Sequence, residues 1–178
     1  MNELLQKYPE EIRQILNRYP EGQKRSAVMP LLYLAQRQTG QITPQGMAEV
    51  AEIVGVSTTD VASIVGFYSL FHEEPGGRFR IQVCTDLPCA LRGAESFLEE
   101  LSQYLGVAVG ETTTDGLFTL EEVKCLAACH RAPVFQLQGD GELTYHENQT
   151  IAATRAFIDE IRRRALAGET NLNQEEQR

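Results

Sequence analysis

The stretch "VCTDLPCALRG", residues 83–93, places two cysteines, Cys84 and Cys89, directly after a run with strand periodicity. In residues 79–83, three apolar side chains alternate with polar ones, as in a half-buried β-strand. The C-x4-C spacing is longer than the C-x-x-C of redox dithiols, and it differs from the C-x2-C knuckle that is usual for structural zinc. The stretch therefore predicts a strand followed by a ligand loop, whose partners lie elsewhere in the chain.

The only other cysteines, Cys125 and Cys129, form a C-x3-C pair 35 residues further along the chain. This pair follows residues 118–123, which we predict as a strand although Glu121 and Glu122 weaken the pattern. If the two strands are neighbours, both cysteine loops leave the same end of the sheet. Four thiolates around one point favour zinc or an iron–sulfur cluster.

The spacing favours a [2Fe–2S] cluster over zinc, because each of two irons takes its own pair of thiolates in a looser loop. Small residues in the second loop, Ala127 and Ala128, suit such a loop. A zinc-stabilised interaction module, two disulfides or four inert cysteines remain alternatives, and a reducing compartment disfavours the disulfides. A thiol–disulfide oxidoreductase is disfavoured because the chain has no C-x-x-C. We expect His130, beside Cys129, to lie outside the ligand set.

Residues 9–72 carry only helical signals. Apolar residues recur at helical spacing in 28–35 and in 47–54, where Gly40 and Gly55 follow as stop signals. Residues 57–60 resemble a capping box that opens a further helix. These signals predict a helical bundle.

Pro75-Gly76-Gly77 ends the helical pattern, and the order after it is β-α-β-β-β-α. The first predicted helix covers 90–105, with an inward stripe that begins at Leu91. Residues 134–138 and 143–146 flank Gly139-Asp140-Gly141, a hairpin signal, and a last helix covers about 150–165. We predict three segments: an N-terminal helical domain in 1–74, a sheet-containing domain in 75–166 and a polar tail in 167–178.

The chain of 178 residues has 16 Lys and Arg against 25 Asp and Glu, a formal charge of −9. Such an acidic chain is a poor ligand for nucleic acid, whose binding depends on basic residues. The first residues have no signal-peptide pattern, and the apolar runs fall short of the roughly 20 residues that span a bilayer. We therefore expect a cytoplasmic protein that does not insert into the membrane.

Two long stretches, "GFYSLFHEEPGGRFRIQVCTDLPC" and "GLFTLEEVKCLAACHRAPVFQ", resemble the E subunits of NADH–quinone oxidoreductase, the 24-kDa-type subunits of respiratory complex I. The family shares the C-x4-C and C-x3-C pairs and an Ala-Pro after the last cysteine, here Ala132-Pro133. The upstream "MPLLYLAQRQTG" and "VASIVGFYSLF" are also similar, so the resemblance covers about residues 17–160. Ala127 stands where many members carry Gly, which predicts altered loop freedom rather than altered ligation.

The resemblance implies an α+β protein: an N-terminal helical bundle followed by a thioredoxin-like ferredoxin domain with a small mixed β-sheet. It implies one [2Fe–2S] cluster held by Cys84, Cys89, Cys125 and Cys129. The function implied is electron transfer within an NADH:quinone oxidoreductase, without catalysis by the chain alone. NAD-linked hydrogenases and formate dehydrogenases contain a similar module.

The resemblance also implies the partners. NADH and FMN belong to a flavin-bearing partner subunit, because no phosphate-binding Gly-rich loop occurs in this chain. With other peripheral-arm subunits, the chain would lie on the cytoplasmic side of the inner membrane, held there through its partners.

Two further expectations concern side chains around these features. A cluster with four thiolates carries a charge of −2 that becomes −3 on reduction, so nearby cations favour the reduced form. Lys124 and Arg131 are the first candidates for this role, and Arg92 is the weaker one. We also expect some apolar residues of the helical half to form an exposed patch for the flavin subunit. The candidates are Leu31, Leu32, Tyr33, Leu34, Phe67, Tyr68, Leu70 and Phe71.

Overall fold

The computed structural model describes residues 2–169, which fall into two compact units, Met1–Pro75 and Gly76–Arg178. That the units are separate domains divided near residue 74 stays a prediction. The predicted polar tail lies outside the described residues from position 170 onward.

The first unit is helical, as predicted. Over residues 2–75 its α-helices are α1 (Glu3–Lys7), α2 (Pro9–Asn17), α3 (Val28–Thr39), α4 (Pro44–Val54) and α5 (Thr58–Phe67). The Ser57 hydroxyl accepts the N–H of Asp60, whose carboxylate accepts the N–H of Ser57, so the predicted capping box is present. Left-handed Gly40 and Gly55 follow α3 and α4 at the predicted stops.

The core of the first unit is formed by the predicted faces of α3 and α4. Of the apolar residues that recur at helical spacing in 28–35 and 47–54, all four on α3 and three of four on α4 are buried, and Val54 is partly buried. The buried residues are Val28, Leu31, Leu32, Ala35, Met47, Val50 and Ala51. Helix α1 was not predicted; it packs on this core through Leu4, which is 1% exposed.

The expected exposed patch is smaller than the sequence indicated. Four of its eight candidates are buried in the helical core: Leu31, Leu32, Leu34 and Phe71. Three aromatic residues are exposed, Phe67 at 80%, Tyr68 at 42% and Tyr33 at 41%. Tyr33 and Tyr68 both contact the buried Phe71 ring, so only part of the predicted surface is available to a partner.

The second unit contains a four-stranded mixed sheet with the order β2-β1-β3-β4. Its strands are β1 (Phe79–Cys84), β2 (Phe118–Val123), β3 (Phe135–Gly139) and β4 (Glu142–His146). Strands β1 and β2 are parallel, whereas β3 pairs antiparallel with both β1 and β4. The predicted hairpin joins β3 to β4 at Asp140-Gly141. The predicted order of elements is confirmed.

One face of the sheet packs on two helices, α7 (Ala94–Leu105) and α8 (Ile151–Leu166). Phe79, Ile81 and Val83 alternate onto this face of β1 and are fully buried. The opposite face carries a polar chain of contacts, in which Glu121 accepts from Arg80 and Gln82. Glu121 therefore has partners within the sheet, which explains how an acidic residue is accommodated in a strand.

The predicted helix over 90–105 is wrong at its start. A separate short helix, α6 (Leu87–Ala90), precedes α7, and left-handed Gly93 (φ 88°) separates the two. The break shifts the helical phase, so Leu91 is 81% exposed instead of inward. Phe97, which the predicted stripe omitted, is buried in the core with Leu98 and Leu101.

Between residues 2 and 169, no individual helix combines the length and apolar character required to cross a membrane. Helices α4 and α5 pass that test only when taken together, and they are bent by 119° at the break between them.

Candidate metal centre

Both cysteine pairs lie at the same edge of the sheet. Cys84 is the last residue of β1 and is paired with Val123, the last residue of β2. Cys125 follows two positions later. Because β1 and β2 are parallel neighbours, their carboxyl ends coincide and the two loops start side by side. The convergence expected from the sequence is confirmed.

Helix α6 determines where the second cysteine lies. Asp86 precedes this helix, and its carbonyl accepts the N–H groups of Cys89 (2.8 Å) and Ala90 (2.9 Å). Pro88 lies in the first turn, where its missing N–H costs no hydrogen bond. The turn buries Cys89 completely, in a small apolar cluster that also contains Cys84.

The second loop is shaped by two residues with left-handed backbone. Cys125 and Ala127 have φ values of 55° and 58°, a region that side chains other than glycine rarely adopt. Leu126, between them, packs against the apolar cluster around Cys84 and Cys89. A short 3-10 turn, Cys129–Arg131, closes the loop before the cis Ala132-Pro133 peptide.

Two of the thiols contact a third, Cys89. The Cys89 side chain is hydrogen-bonded with the Cys84 and Cys129 side chains. Cys125 approaches this group through its main chain, whose N–H donates to the Cys84 sulfur, while its own side chain is exposed. A four-thiolate site therefore requires the exposed Cys125 side chain to join the other three.

The surroundings of the Cys84 sulfur stabilise negative charge on it. It accepts the main-chain N–H groups of Asp86, Leu126 and Cys125, an arrangement that resembles an anion-binding nest. Burial alone would raise the pKa of Cys84, but these donors and the Cys89 thiol hold the pKa below its usual value. Burial raises the pKa of Cys89 to about 12, and the neighbouring Cys84 and Cys129 side chains add to this effect. In this pair, Cys84 is the thiol that ionises first.

A polar clamp joins the two loops beside the cysteines. Lys124, just before Cys125, donates from Nζ to the Thr85 hydroxyl at 2.8 Å and also to Glu122. The Thr85 hydroxyl, just after Cys84, donates to the same Glu122 carboxylate. The hydrogen bond with Glu122 raises the pKa of Lys124, so the ammonium charge is stabilised and at the same time neutralised by its partner.

The other two cations near the site differ in their partners. Arg131 forms an ion pair with Glu147, and its Nε donates to the exposed His130 ring at 3.3 Å. Arg92 donates from Nε to the main-chain carbonyl of Ala132 at 3.1 Å. No Asp or Glu in residues 2–169 forms an ion pair with Arg92.

The donor set fits a [2Fe–2S] group in its chemistry. All four cysteines are free thiols, as iron ligation requires, so the alternative of two disulfides is not what the structure shows. Three N–H donors point at the Cys84 sulfur, and the lining is small and apolar, with Ala94, Ala128, Ala132 and Val134. Among the described residues, no three Cys, His, Asp or Glu side chains surround a point where one metal ion could bind.

Comparison with known proteins identifies the family. The family model described as thioredoxin-like [2Fe-2S] ferredoxin matches residues 12–162. The chain belongs to this ferredoxin family. The expected fold class, α+β with a thioredoxin-like ferredoxin domain, is thereby confirmed.

Members of the thioredoxin-like [2Fe-2S] ferredoxin family with high similarity are subunits of an oxidoreductase complex. The second E-type NADH-quinone oxidoreductase subunit of Rhizobium meliloti (strain 1021) is 44% identical over 153 residues, which are 86% of this chain and 88% of the relative. NADH-quinone oxidoreductase subunit 2 of Thermus thermophilus is 39% identical over 145 residues, 82% of this chain and 78% of the relative. The resemblance seen in the cysteine motifs thus extends over most of this ferredoxin.

A solved structure supports the fold of this ferredoxin. The crystal structure of an air-oxidized NAD+-reducing [NiFe]-hydrogenase matches 75% of the chain with a TM-score of 0.62, at 19% identity. The match covers 23% of the hydrogenase chain. At this identity, the similarity concerns the fold alone.

The sequence located the cysteines of this ferredoxin but not the contacts that position them. The Lys124–Thr85–Glu122 clamp and the Arg92–Ala132 hydrogen bond were not predicted, because each joins residues about 40 positions apart. Part of the clamp had a local signal: Glu122 and Lys124 lie two residues apart at the end of a strand, on the same side of it.

Proposed function

We propose that Cys84, Cys89, Cys125 and Cys129 hold one [2Fe–2S] cluster and that the chain is an electron-transfer subunit of an NADH–quinone oxidoreductase. The observation that carries the proposal is the meeting of three thiols at the edge where β1 and β2 end, with the fourth cysteine in the adjoining loop. The family match and the two relatives support the same function.

The residues of the chain have separable roles in this proposal. The four cysteines are the ligands, and the N–H groups of Asp86, Leu126 and Cys125 stabilise negative charge on sulfur. The buried alanines and Val134 exclude water from one side of the site. When bound, the cluster accepts and releases one electron at a time.

The electron donor in this proposal is a flavin-bearing partner subunit that binds NADH and FMN. An exposed apolar pair supports a docking surface next to the cysteines: Leu87 is 70% exposed and Leu91 is 81% exposed. They lie four positions apart around Cys89, at the end of the sheet where both cysteine loops begin. Together with other peripheral-arm subunits, this partner would hold the chain on the cytoplasmic side of the inner membrane.

Two alternatives are less well supported. A structural zinc ion usually takes C-x2-C knuckles, whereas the cysteines here have C-x4-C and C-x3-C spacing, and the matching family model describes a [2Fe-2S] ferredoxin. An NAD-linked hydrogenase or formate dehydrogenase could contain a similar subunit, but the hydrogenase similarity concerns the fold alone. The relatives that match over most of their length favour the quinone-reducing complex.

Reduction of the chain by NADH tests the proposed function. The anaerobically purified protein should absorb visible light, unlike a zinc protein, and NADH alone should not bleach it. Addition of the flavin-bearing subunit in catalytic amount should allow NADH to bleach the absorption. Bleaching by NADH in rigorously flavin-free, partner-free protein would contradict the assignment of NADH and FMN to the partner.

A further inference from the structure

Three cations lie beside the cysteine loops, and the structure separates them by the charge around each. Lys124 contacts Glu122 and Arg131 contacts Glu147, both as ion pairs. Two opposite charges in contact form a dipole, whose potential falls with distance more steeply than that of a single charge. Lys124 also interacts electrostatically with Cys84, but a second carboxylate, Asp86, acts on it together with Glu122. Each of the two ion pairs therefore contributes little net positive potential at a site several ångströms away.

Arg92 differs from both. Its Nε bond goes to the neutral carbonyl of Ala132, and the side chain forms no ion pair with a carboxylate in residues 2–169. A guanidinium carries a full positive charge spread over a planar group. Its positive charge is therefore not cancelled locally, and only solvent and mobile ions screen it.

The position of Arg92 relates it to two cysteines at once. The main-chain N–H of Arg92 donates to the Cys89 carbonyl at 3.0 Å. In the other loop, the main-chain N–H of Ala132 donates to the Cys129 carbonyl at 3.4 Å. The Arg92–Ala132 bond thus joins the ends of the two turns that begin at Cys89 and Cys129. Ala132 is 3% exposed and belongs to the apolar cluster that contains Cys84 and Cys89, so the bond to its carbonyl holds the exposed Arg92 side chain at the edge of that cluster.

We infer that Arg92, rather than Lys124 or Arg131, is the residue whose charge raises the reduction potential of the cluster. This inference rests on the proposed function, since it requires a [2Fe–2S] group on the four cysteines. The cluster charge changes from −2 to −3 when it takes one electron from a reductant. A fixed positive charge stabilises the −3 form more than the −2 form, and the bond to Ala132 holds the Arg92 charge in place.

The main test is a redox titration of the cluster in Arg92→Gln, followed by electron paramagnetic resonance at low ionic strength. We expect the equilibrium constant for uptake of the electron to fall about threefold, for an exposed charge partly screened by water and salt. This corresponds to a decrease of about 28 mV, since a tenfold change equals about 59 mV for one electron. Arg92→Lys keeps the positive charge, so its equilibrium constant for uptake of the electron should stay within about 1.5-fold of the wild-type value.

The matched control neutralises both partners of one ion pair, Arg131 and Glu147, at the same time. The double variant Arg131→Gln/Glu147→Gln deletes one positive and one negative charge in contact, so its constant should change by less than about 1.5-fold. A decrease equal to that of Arg92→Gln would overturn the inference, because the neutralised pair would then matter as much as the uncompensated cation.

A second variant tests the charge while the Arg92–Ala132 bond is retained. Leu91→Asp places a carboxylate beside Arg92 at a position that is 81% exposed, and Leu91→Asn is its uncharged control. Leu91→Asp should lower the constant and Leu91→Asn should not, which calibrates the effect of one exposed charge at this position, whether or not it contacts Arg92. If Arg92→Gln does not retain its cluster, Arg92→Met, which keeps the apolar stem without the charge, takes its place.

The possible failures can be told apart. A wild-type chain without iron and sulfide would refute the proposed function itself. A cluster-bearing Arg92→Gln with an unchanged potential, or an equal decrease in Arg92→Lys, would refute only the role of the Arg92 charge.

Discussion

Ala127 carries a conformational cost within the second cysteine loop. Its φ of 58° lies in the left-handed region, which costs an L-residue with a Cβ about 1–2 kcal/mol. The side chain is exposed, so little packing compensates for this cost. The loop conformation is set instead by its surroundings, in particular by the N–H groups of Cys125 and Leu126, which are held on the Cys84 sulfur.

We therefore predict that Ala127→Gly stabilises the protein. Relief of the left-handed strain outweighs the greater freedom that glycine gives the unfolded chain, which costs about 0.4–1 kcal/mol. The net gain should be about 0.5–1 kcal/mol, measured by urea denaturation of the full chain. The matched control is Ala128→Gly, at a buried position with φ −116°, which should be destabilising. A loss of stability in Ala127→Gly would contradict the strain argument.

At the level of elements, helix α1 is held by a carboxylate from α4. The buried Glu49 side chain accepts the main-chain N–H groups of Glu3 (3.0 Å) and Leu4 (3.1 Å), which begin α1. These N–H groups have no partner within a helix, so Glu49 acts as a cap supplied from another helix. Burial alone would raise the pKa of Glu49, but bonds from Gln45, Glu3 and Leu4 hold the pKa below its usual value.

The lowered pKa of Glu49 predicts that the docking of α1 depends on pH. Because the folded state has the lower pKa, the contribution of Glu49 is fully present above the ordinary value of 4.5. It is lost as the pH falls through the folded pKa. Amide hydrogen exchange in residues 3–7 should therefore report increased opening of α1 below about pH 4.5.

Glu49→Gln should increase the opening of α1 at neutral pH and remove this part of the pH dependence. The change leaves one N–H without its charged acceptor, at a cost of about 1–2 kcal/mol. The matched control is Glu52→Gln on the same helix, an exposed residue whose carboxylate accepts a hydrogen bond from the Asn2 side chain but none from the N–H groups of Glu3 and Leu4. If both variants opened α1 equally, the cap role of Glu49 would be wrong.

The elements also show what could be predicted from the sequence. Helices with long apolar periods and clear stop signals, such as α3 and α4, were predicted correctly, and so was the β3–β4 hairpin. Helices α1 and α6 were missed because four or five residues make little more than one helical turn, too short for an apolar pattern to repeat. Their positions depend instead on tertiary contacts, with Glu49 for α1 and with the cysteine cluster for α6.

The same distinction applies to the candidate site. The position of both cysteine pairs after predicted strands indicated that the two loops meet at one edge if the strands are neighbours, and the parallel pairing of β1 and β2 meets that condition. The partners of Lys124, Arg131 and Arg92 could not be predicted, since a flanking cation has the same sequence pattern whether or not a distant carboxylate neutralises it. The charge balance at the site depends on these distant contacts.

At the level of the whole molecule, the exposed Leu87 and Leu91 predict where the proposed flavin-bearing partner would dock. Replacement of both by Ser should weaken assembly with that subunit by at least about tenfold, since two apolar side chains no longer leave water on binding. Cluster content should be unchanged, because both side chains are exposed. The affinity can be measured by titration of the partner against the cluster-bearing chain.

The control for this surface is Leu166→Ser, at an equally exposed leucine (89%) at the end of α8. It tests whether loss of any exposed leucine weakens assembly. Equal weakening by Leu166→Ser, or full affinity of the Leu87/Leu91 variant, would show that the partner does not dock at the cysteine edge.

The central claim, a [2Fe–2S] cluster on four named cysteines, is tested most directly by iron, acid-labile sulfide and zinc content of the anaerobically purified chain. We predict two iron and two sulfide per chain without stoichiometric zinc. Each of the variants Cys84→Ala, Cys89→Ala, Cys125→Ala and Cys129→Ala should lose most of both, since each iron needs its pair of thiolates. One zinc per chain in the wild type, or full iron and sulfide in any single variant, would contradict the account.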